Sequence, residues 1–396
     1  MIKNYCERKD GINLVVGAGF SGAVTAERIA NILDEKVLII DKKNHIGGNS
    51  FDYTDKNGIS IHKYGSHIFH TNNQKVWDYV NRFSSFNTYM HRVLAVIDGI
   101  ETTIPFNIDT LYKVFPDSVA HKLELKLLES FQYNSKVPIL ELAKYNDKDL
   151  NFLADYIYEK VFLHYTVKQW GKTPDEIDGA VTARVPVLIG KDTRYFQDVY
   201  QGIPIKGYTD LINNILNNKN IEIRLNTDFK QVNLNNFKRI FFTGSIDEFF
   251  DYKFGMLPYR SVNFKFEEYN TEFYQNNSVV NYPNNYDFTR IHEYKHYNSK
   301  KTSKTVIAKE YSQNYVFGKN ERYYPIINVE NQKLYNKYLE YSKQHQNLFF
   351  LGRLGDYKYY DMDKAVLRAL NLFEELFNNK AVSYTHLRAH ETSQDL

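Results

Sequence analysis

The chain has 396 residues, a formal net charge of only +3 and a single cysteine, Cys6. This length predicts two or three domains rather than one core. The dispersed charge argues against a nucleic-acid partner, because no basic run is interleaved with aromatic residues. One cysteine leaves no internal disulfide framework and favours a reducing compartment, here the cytoplasm. A stretch of about 18 apolar residues, which would predict membrane insertion, is absent, as is a signal-peptide core.

The first clear pattern is a strand, a glycine-rich turn and a helix. The apolar run Ile12 to Val16 leads into GAGFSG at positions 17–22, and Ala23 to Leu33 has the pattern of a helix. A second strand, Val37 to Ile40, ends at Asp41. This layout indicates a dinucleotide site, because the glycines allow a tight turn, close approach of a pyrophosphate and packing of helix on strand. The predicted cofactor contacts here are Gly17, Gly19, Phe20, Ser21, Gly22, Asp41 and Lys42.

A second glycine pair, Gly47 and Gly48, follows the acidic strand end and precedes Asn49. Paired glycines let the backbone pass close to a bound cofactor, and an asparagine side chain offers both donors and acceptors. Such a pair is typical of flavoproteins of the glutathione-reductase-like superfamily. The pattern therefore favours FAD over NAD, with Gly48 and Asn49 added to the predicted contacts.

The rest of the chain alternates between strand and helix patterns. Two strands flank Asp98-Gly99, a strong hairpin signal, and helical periodicity dominates from Ile108 to about Gly179. We predict an α/β fold in which a Rossmann-like FAD-binding domain is interrupted by a small helical domain and an antiparallel β-sheet domain. The predicted bounds are 1–90, 206–250 and 340–380 for the FAD domain, 107–180 for the helical domain, and 91–106, 181–205 and 251–339 for the sheet domain. Residues 381–396 are predicted to be a non-native or disordered tail.

Several long motifs resemble one known family. These are HKYGSHIFHT, YTVKQWG, YFQDVYQGIPIKGYT, FTGSIDEFFDYKFG, FTRIHEYKH, RYYP and GRLGDYKYYDMDKAV. Together they resemble bacterial UDP-galactopyranose mutases, in the same order and from about Ile12 to Asn379. The resemblance implies a cytoplasmic, homodimeric isomerase that interconverts UDP-galactopyranose and UDP-galactofuranose by redox-neutral covalent catalysis through N5 of reduced FAD. It also implies a reductant, either NAD(P)H or a reductase, and a role in cell-surface glycan synthesis.

The resemblance also implies roles for individual residues. Arg184 and Arg290 match the arginines that bind the diphosphate. These two arginines, together with His67 and His70, are the predicted catalytic residues. Predicted substrate contacts further include Phe162, Tyr165, Trp170, Tyr195, Tyr323, Tyr324 and Tyr359. Predicted flavin contacts further include His67, Arg353, Tyr360, Asp361 and Met362.

Three closely spaced histidines, His62, His67 and His70, raise the alternative of a metal site. Their spacings of five and three lack the i,i+4 pairing of a helical zinc motif, and no cysteine is near. We therefore predict no metal. The resemblance instead implies that His67 and His70 line the pocket, where they hold and polarise the sugar and the flavin.

The chain departs from the family pattern at Ser66, where alanine is common, at Ser245, where proline is common, and at Leu188, where some members have arginine. These departures leave open a mutase acting also or mainly on UDP-N-acetylgalactosamine. A second alternative is a flavin-dependent oxidoreductase of the amine-oxidase type, which shares the first glycine motif.

Overall fold

The computed structural model describes residues 11–176, 186–298 and 301–391 of the chain. Its first unit is a five-stranded sheet in which every neighbouring pair of strands is parallel. Across the sheet the strands are Ile221–Arg224, Val37–Ile40, Asn13–Val16, Arg239–Phe242 and Leu348–Phe350. These short apolar runs suit a parallel sheet that is covered on both faces.

Helices cover both faces of this sheet. The helices Phe20–Ile32, Tyr208–Leu216 and Met362–Glu391 lie over one face, and the helix Val329–Ser342 lies over the other. Val15 and Leu14, adjacent in one strand, point into the two different cores and are both fully buried. The result is the predicted Rossmann-like arrangement.

Two helix bounds differ from the sequence expectation. The first helix begins at Phe20 rather than Ala23, because Gly22 lies within its first turn. A Cβ atom on Gly22 would be 1.9 Å from the carbonyl oxygen of Gly17, so the glycine is needed to pack the helix against the turn itself. The last helix continues to Glu391, and it therefore includes part of the segment 381–396 that the sequence set apart as a tail.

The second unit is a seven-stranded sheet. In spatial order its strands are Tyr324–Pro325, Tyr259–Tyr269, Thr305–Asn314, Arg290–Glu293, Val279–Asn281, Val93–Ile97 and Ile100–Ile104. All neighbours are antiparallel except Val279–Asn281 and Val93–Ile97, which run parallel. The last two strands form the predicted hairpin, and both turn residues, Asp98 and Gly99, have positive φ. Positive φ at both positions is typical of a type I′ turn.

A helical unit packs beside this sheet. Its helices are Ile108–Val114, Asp117–Ser130, Ile139–Leu142, Lys148–Ile157 and His164–Trp170. The last two are joined without a break by a π-helical segment, Tyr158–Leu163. A π-helical turn shifts the faces of the helix that follows, and such turns are frequent at functional sites. Here the π-helical segment and the helix after it face the cleft described below.

Short elements connect these units. Three two-stranded pairs join Asp52–Thr54 to Ser60–His62, Phe69–Thr71 to Tyr200–Gly202, and Lys136–Val137 to Val187–Leu188. The remaining α-helices among the described residues are Gln74–Asn81, Ile246–Phe249 and Gly352–Gly355. Within the described parts of the chain, every helix is too short or too polar to cross a membrane.

Candidate active site

The two glycine pairs meet in space. Gly17 has a φ of 108°, a conformation that favours glycine, and its turn leads directly into the helix at Phe20. Gly48 lies so close to Gly19 that a Cβ atom on Gly48 would be 3.0 Å from the Cα atom of Gly19. The helix has no side-chain cap and no acidic residue in its first turn, so its free N–H groups suit a phosphate. We call this arrangement of Gly17, Gly19, Gly47 and Gly48 the glycine cradle.

Asp41 lies at one end of the glycine cradle. Its two carboxylate oxygens accept hydrogen bonds from the backbone N–H groups of Ala18, at 2.8 Å, and Lys43, at 2.9 Å. Each carboxylate oxygen can accept a further bond, so a ribose hydroxyl can still be held there. Asp41 and Lys42 both line a cavity to which Tyr315, Phe317 and Arg322 also contribute.

The side chains of Phe20 and Ser21 have different surroundings. Phe20 is 6% exposed and its ring packs against Phe69 and Tyr208. Its backbone, rather than its side chain, could therefore contact a ligand. Ser21 is buried against Gly352, where an added Cβ atom would be 3.3 Å from the serine Oγ. This contact joins the start of the first helix to the segment that carries Arg353.

A second cavity, the cleft, lies between the parallel sheet, the seven-stranded sheet and the helical unit. Asn49 lines both cavities, so the cleft adjoins the space beside the glycine cradle. The structure brings most of the predicted substrate and flavin residues into this lining. They are His67, His70, Phe162, Tyr165, Trp170, Tyr195, Arg290, Tyr323, Tyr324, Arg353, Tyr359, Asp361 and Met362.

Arg290 supplies a fixed positive charge to the cleft. Its Nε atom is 3.2 Å from Oε1 of Glu310, which is opposite it on the neighbouring strand. Burial is the largest single influence on Arg290 and opposes its charge, but the Glu310 carboxylate and the neighbouring tyrosines together outweigh burial and raise the pKa of the guanidinium. Burial likewise opposes the charge on Glu310, yet Arg290 and then His292 lower the pKa of that carboxyl to about 2. Both groups are therefore charged at neutral pH.

Aromatic side chains from the helical unit form one wall of the cleft. Phe162 comes from the π-helical segment, and Tyr165 and Trp170 come from the helix that follows it. The Arg290 guanidinium lies 5.8 Å from the centre of the Tyr165 ring. An aromatic face next to a fixed cation suits a base that is linked to a phosphate.

Several tyrosines line the cleft together with Arg290. Tyr324 packs edge-on against Tyr359, with ring centres 5.1 Å apart, and Trp170 packs edge-on against Tyr359. Burial raises the pKa of both Tyr165 and Tyr324, so their hydroxyls stay protonated and can donate hydrogen bonds. Tyr195 and Tyr323 line the cleft as well.

The two predicted pocket histidines have distinct partners. His67 Nδ1 is 2.7 Å from the carbonyl oxygen of Gly65, which fixes Nδ1 as the protonated nitrogen and leaves Nε2 available to a ligand. Burial lowers the pKa of His67 to about 3, so its ring is neutral. His70 stacks on Phe196, and its Nδ1 is 2.8 Å from Asp198 Oδ2.

Three of the residues predicted to contact the flavin, Arg353, Tyr360 and Asp361, lie close together near the start of the last helix. The Arg353 guanidinium donates to the carbonyl oxygen of Tyr360, with Nη2 at 2.9 Å, and lies 5.2 Å from the Tyr324 ring centre. Tyr360 itself donates to Asp356 and contributes its backbone rather than its ring. Asp361 Oδ2 lies 3.9 Å from His70 Nε2.

Arg184 lies outside the described residues. Other cleft residues were missed by sequence reasoning: His91, Gln169, Asn281, His292 and Glu310. His292 is part of the FTRIHEYKH motif and Gln169 is part of YTVKQWG, so both were within quoted segments but carried no separate signal. In the parts of the chain that the structure describes, no three His, Cys, Asp or Glu side chains are grouped as metal ligands.

The chain is similar to known proteins along most of its length. A family model described as UDP-galactopyranose mutase matches residues 160–359, and one described as an NAD(P)-binding Rossmann-like domain matches residues 15–83. A probable UDP-galactopyranose mutase from Klebsiella pneumoniae is 36% identical, over 93% of this chain and 95% of the relative. A dTDP-fucopyranose mutase from Escherichia coli is 35% identical, over 92% and 98%. The crystal structure of a reduced UDP-galactopyranose mutase shares the fold, with a TM-score of 0.69, 13% identity and coverage of 93% and 94%.

Fold, cleft and relatives together define the class as flavin-dependent mutases of sugar nucleotides. Within that class, the chain belongs to the UDP-galactopyranose mutase family.

Proposed function

We propose that this protein interconverts UDP-galactopyranose and UDP-galactofuranose without net oxidation. The observation that carries the proposal is the composition of the cleft, where a fixed arginine, an aromatic wall and several tyrosine hydroxyls adjoin the glycine cradle. Membership of the mutase family supports the sugar nucleotide as substrate.

The chain has the features needed to hold FAD. The glycine cradle and the uncapped helix would hold the pyrophosphate, and Asp41 would hold the ribose. Asn49, His67 and Arg353 would flank the isoalloxazine in the cleft. The chemistry that bound, reduced FAD supplies is nucleophilic attack by N5 on the anomeric carbon of the sugar.

The cleft residues then bind the nucleotide and stabilise its departure from the sugar. Tyr165 and Phe162 offer a stacking surface for uracil, an interaction worth about 1–3 kcal/mol per base. Arg290 faces the diphosphate, on which negative charge increases when the bond to the sugar breaks. Arg184 is proposed as the second cation, and Tyr195, Tyr323, Tyr324 and Tyr359 as hydroxyl donors to the phosphates.

The histidines hold the sugar rather than carry protons through the cleft. A neutral His67 with Nδ1 committed to Gly65 can accept a sugar hydroxyl at Nε2. His70 is oriented by Asp198 and by stacking on Phe196. Both therefore have fixed orientations, as a group that positions a ring requires.

The wider setting is also part of the proposal. The family resemblance supports a cytoplasmic homodimer that receives electrons from NAD(P)H or a reductase and supplies galactofuranose for cell-surface glycans. We also propose the domain bounds: 1–90, 206–250 and 340–380 for the FAD domain, 107–180 for the helical domain, and 91–106, 181–205 and 251–339 for the sheet domain. Light scattering coupled to size-exclusion chromatography would test the dimer, and limited proteolysis would test the bounds.

The decisive test of the reaction is an anaerobic assay. Purified holoenzyme is incubated with UDP-galactofuranose, with and without dithionite, and the ring form of the sugar is followed by chromatography. We expect conversion to the pyranose only with reduced flavin and without net consumption of dithionite. Oxidised sugar, formed with stoichiometric reduction of the flavin in the sample without dithionite, would instead favour the oxidoreductase alternative.

Parallel substrates test sugar and base preference. UDP-N-acetylgalactofuranose tests whether an acetamido group at C2 is accepted, and a dTDP-fucose substrate tests the activity named for the Escherichia coli relative. We expect UDP-galactofuranose to have the highest kcat/KM. A higher value for either competitor would reassign the substrate within the same family.

A further inference from the structure

Two buried hydrogen bonds lead from Ser66 through His292 to Glu310, and an ion pair joins Glu310 to the arginine of the cleft. Ser66 Oγ is 2.6 Å from His292 Nδ1, and it accepts a hydrogen bond from the hydroxyl of Tyr297. His292 Nε2 is 2.9 Å from Glu310 Oε2, and Glu310 Oε1 is 3.2 Å from Arg290 Nε. The side chains of His292 and Glu310 are almost completely buried.

The sheet register explains why these groups meet. Arg290 and His292 are two residues apart on one strand, so their side chains lie on the same face. Glu310 is directly opposite Arg290 on the neighbouring strand and diagonal to His292. One carboxylate can therefore contact both side chains at once.

The charge on Glu310 fixes the direction of both hydrogen bonds. Burial lowers the pKa of His292, so its ring is neutral and carries one proton. Because Glu310 is ionised and can only accept, that proton is on Nε2. His292 Nδ1 is then an acceptor, and Ser66 is the group that donates to it.

We propose that Ser66 and His292 are positioning residues that hold Glu310, and through it Arg290, in the orientation that grips the diphosphate. The inference rests on the proposed function, because it takes Arg290 to bind phosphate. An alanine at position 66 would leave His292 Nδ1 without this hydrogen-bond donor.

The test compares two ligands on the oxidised holoenzyme. Equilibrium titrations of UDP and of uridine, followed by ligand-observed NMR, separate phosphate binding from base binding. For Ser66→Ala we expect the Kd of UDP to rise by about threefold to tenfold, as for the loss of one hydrogen bond. The Kd of uridine should stay unchanged, because uridine has no phosphate for Arg290 to hold.

Three further variants make the result specific. Ser66→Thr keeps the hydroxyl and should restore the Kd of UDP. His292→Gln keeps an N–H donor for Glu310 that needs no serine, so adding Ser66→Ala to it should cause no further loss. Thr305→Val is the matched control, since it removes a buried hydroxyl that donates to Glu293 on the same pair of strands but does not reach Arg290. We expect it to leave the Kd of UDP unchanged.

The outcomes separate two failures. If the wild-type enzyme does not bind UDP, the proposed function fails and this inference fails with it. A different result would overturn only the inference. In that case the wild type binds UDP and Arg290→Ala raises the Kd of UDP, but Ser66→Ala has the same Kd of UDP as the wild type. Equal weakening of UDP and uridine by Ser66→Ala would also overturn it, because it would show a general structural effect.

Discussion

The glycine cradle and the cleft bind their ligands by different means. In the cradle the groups that would contact the ligand are backbone atoms. Glycines there have no side chain, and two segments can therefore approach so closely that a Cβ atom on Gly48 would be 3.0 Å from Gly19 Cα. In the cleft the groups that would contact the ligand are side chains. They come from the seven-stranded sheet, the helical unit and the unit of the parallel sheet, and Arg290, Tyr165 and Arg353 are examples. The cradle therefore depends on local conformation, whereas the cleft depends on the packing of sheets and helices against each other. Variants should affect the two regions separately.

The largest effect is expected from Arg290→Ala. This change removes the cation that lies 5.8 Å from the Tyr165 ring and leaves Glu310 buried without it. We expect kcat/KM to fall by about 10²–10³, as for loss of a group that stabilises charge in a transition state. Steady-state kinetics with reduced enzyme measures the fall, and the FAD content should match the wild type. Arg290→Lys is the control and should recover only part of the activity, because lysine cannot bind phosphate bidentately.

The second effect concerns the cradle alone. Gly19 has ordinary extended backbone angles, and an added Cβ atom would be 3.6 Å from Gly48 Cα, so Gly19→Ala fits the chain itself. It should nevertheless block the approach of a pyrophosphate and weaken FAD binding by roughly a hundredfold. Titration of apoprotein with FAD measures this. An unchanged FAD affinity would place the cofactor elsewhere.

Gly22→Ala serves as the contrast to that variant. Its Cβ atom would be only 1.9 Å from the Gly17 carbonyl oxygen, so the helix and the turn must move apart. We expect Gly22→Ala to lower the free energy of unfolding of the apoprotein, measured in urea, while Gly19→Ala does not. Equal stability of the two variants would contradict the packing described here.

A smaller effect is expected at the aromatic wall. Tyr165→Ala should raise the Kd of UDP by about tenfold, since stacking of a base contributes about 1–3 kcal/mol. Tyr165→Phe keeps the ring and should bind UDP nearly as well as the wild type. If Tyr165→Phe were as weak as Tyr165→Ala, the hydroxyl rather than the ring face would be the contact.

A last effect concerns stability as a function of pH rather than ligand binding. Burial lowers the pKa of His62, His67 and His91 to about 3 each, whereas unfolded histidine titrates near 6.5. Between these values the unfolded chain binds more protons, so the free energy of unfolding falls as the pH falls. Each histidine should contribute a slope approaching about 1.4 kcal/mol per pH unit below pH 6.5.

Urea titrations between pH 6.5 and 5 measure this slope. His62→Asn should reduce it by about one proton, because asparagine can still accept the bond that His62 Nδ1 accepts from the His67 N–H. A slope that is the same in the variant would show that His62 is not a buried neutral histidine.

The difference between the two regions also explains what the sequence could predict. The first half of the glycine cradle could be predicted from spacing, because Gly17 and Gly19 lie within one short strand–helix–strand segment that ends at Asp41. Arg290 and Trp170 carried no such signal and were assigned through resemblance to the family. Glu310 was missed altogether, because it meets Arg290 only through strand register, 20 residues along the chain. The start of the first helix was misplaced for a related reason: Gly22 serves packing, although glycine in a sequence suggests a loop.

The most direct test of the account is a crossed titration with FAD and UDP on Gly19→Ala and Arg290→Ala. We expect Gly19→Ala to bind FAD weakly but, once loaded with excess FAD, to bind UDP with wild-type affinity. We expect Arg290→Ala to bind FAD normally and UDP poorly. If instead Arg290→Ala lost FAD, or Gly19→Ala loaded with FAD lost UDP, the separation of a backbone cofactor site from a side-chain substrate site would be wrong.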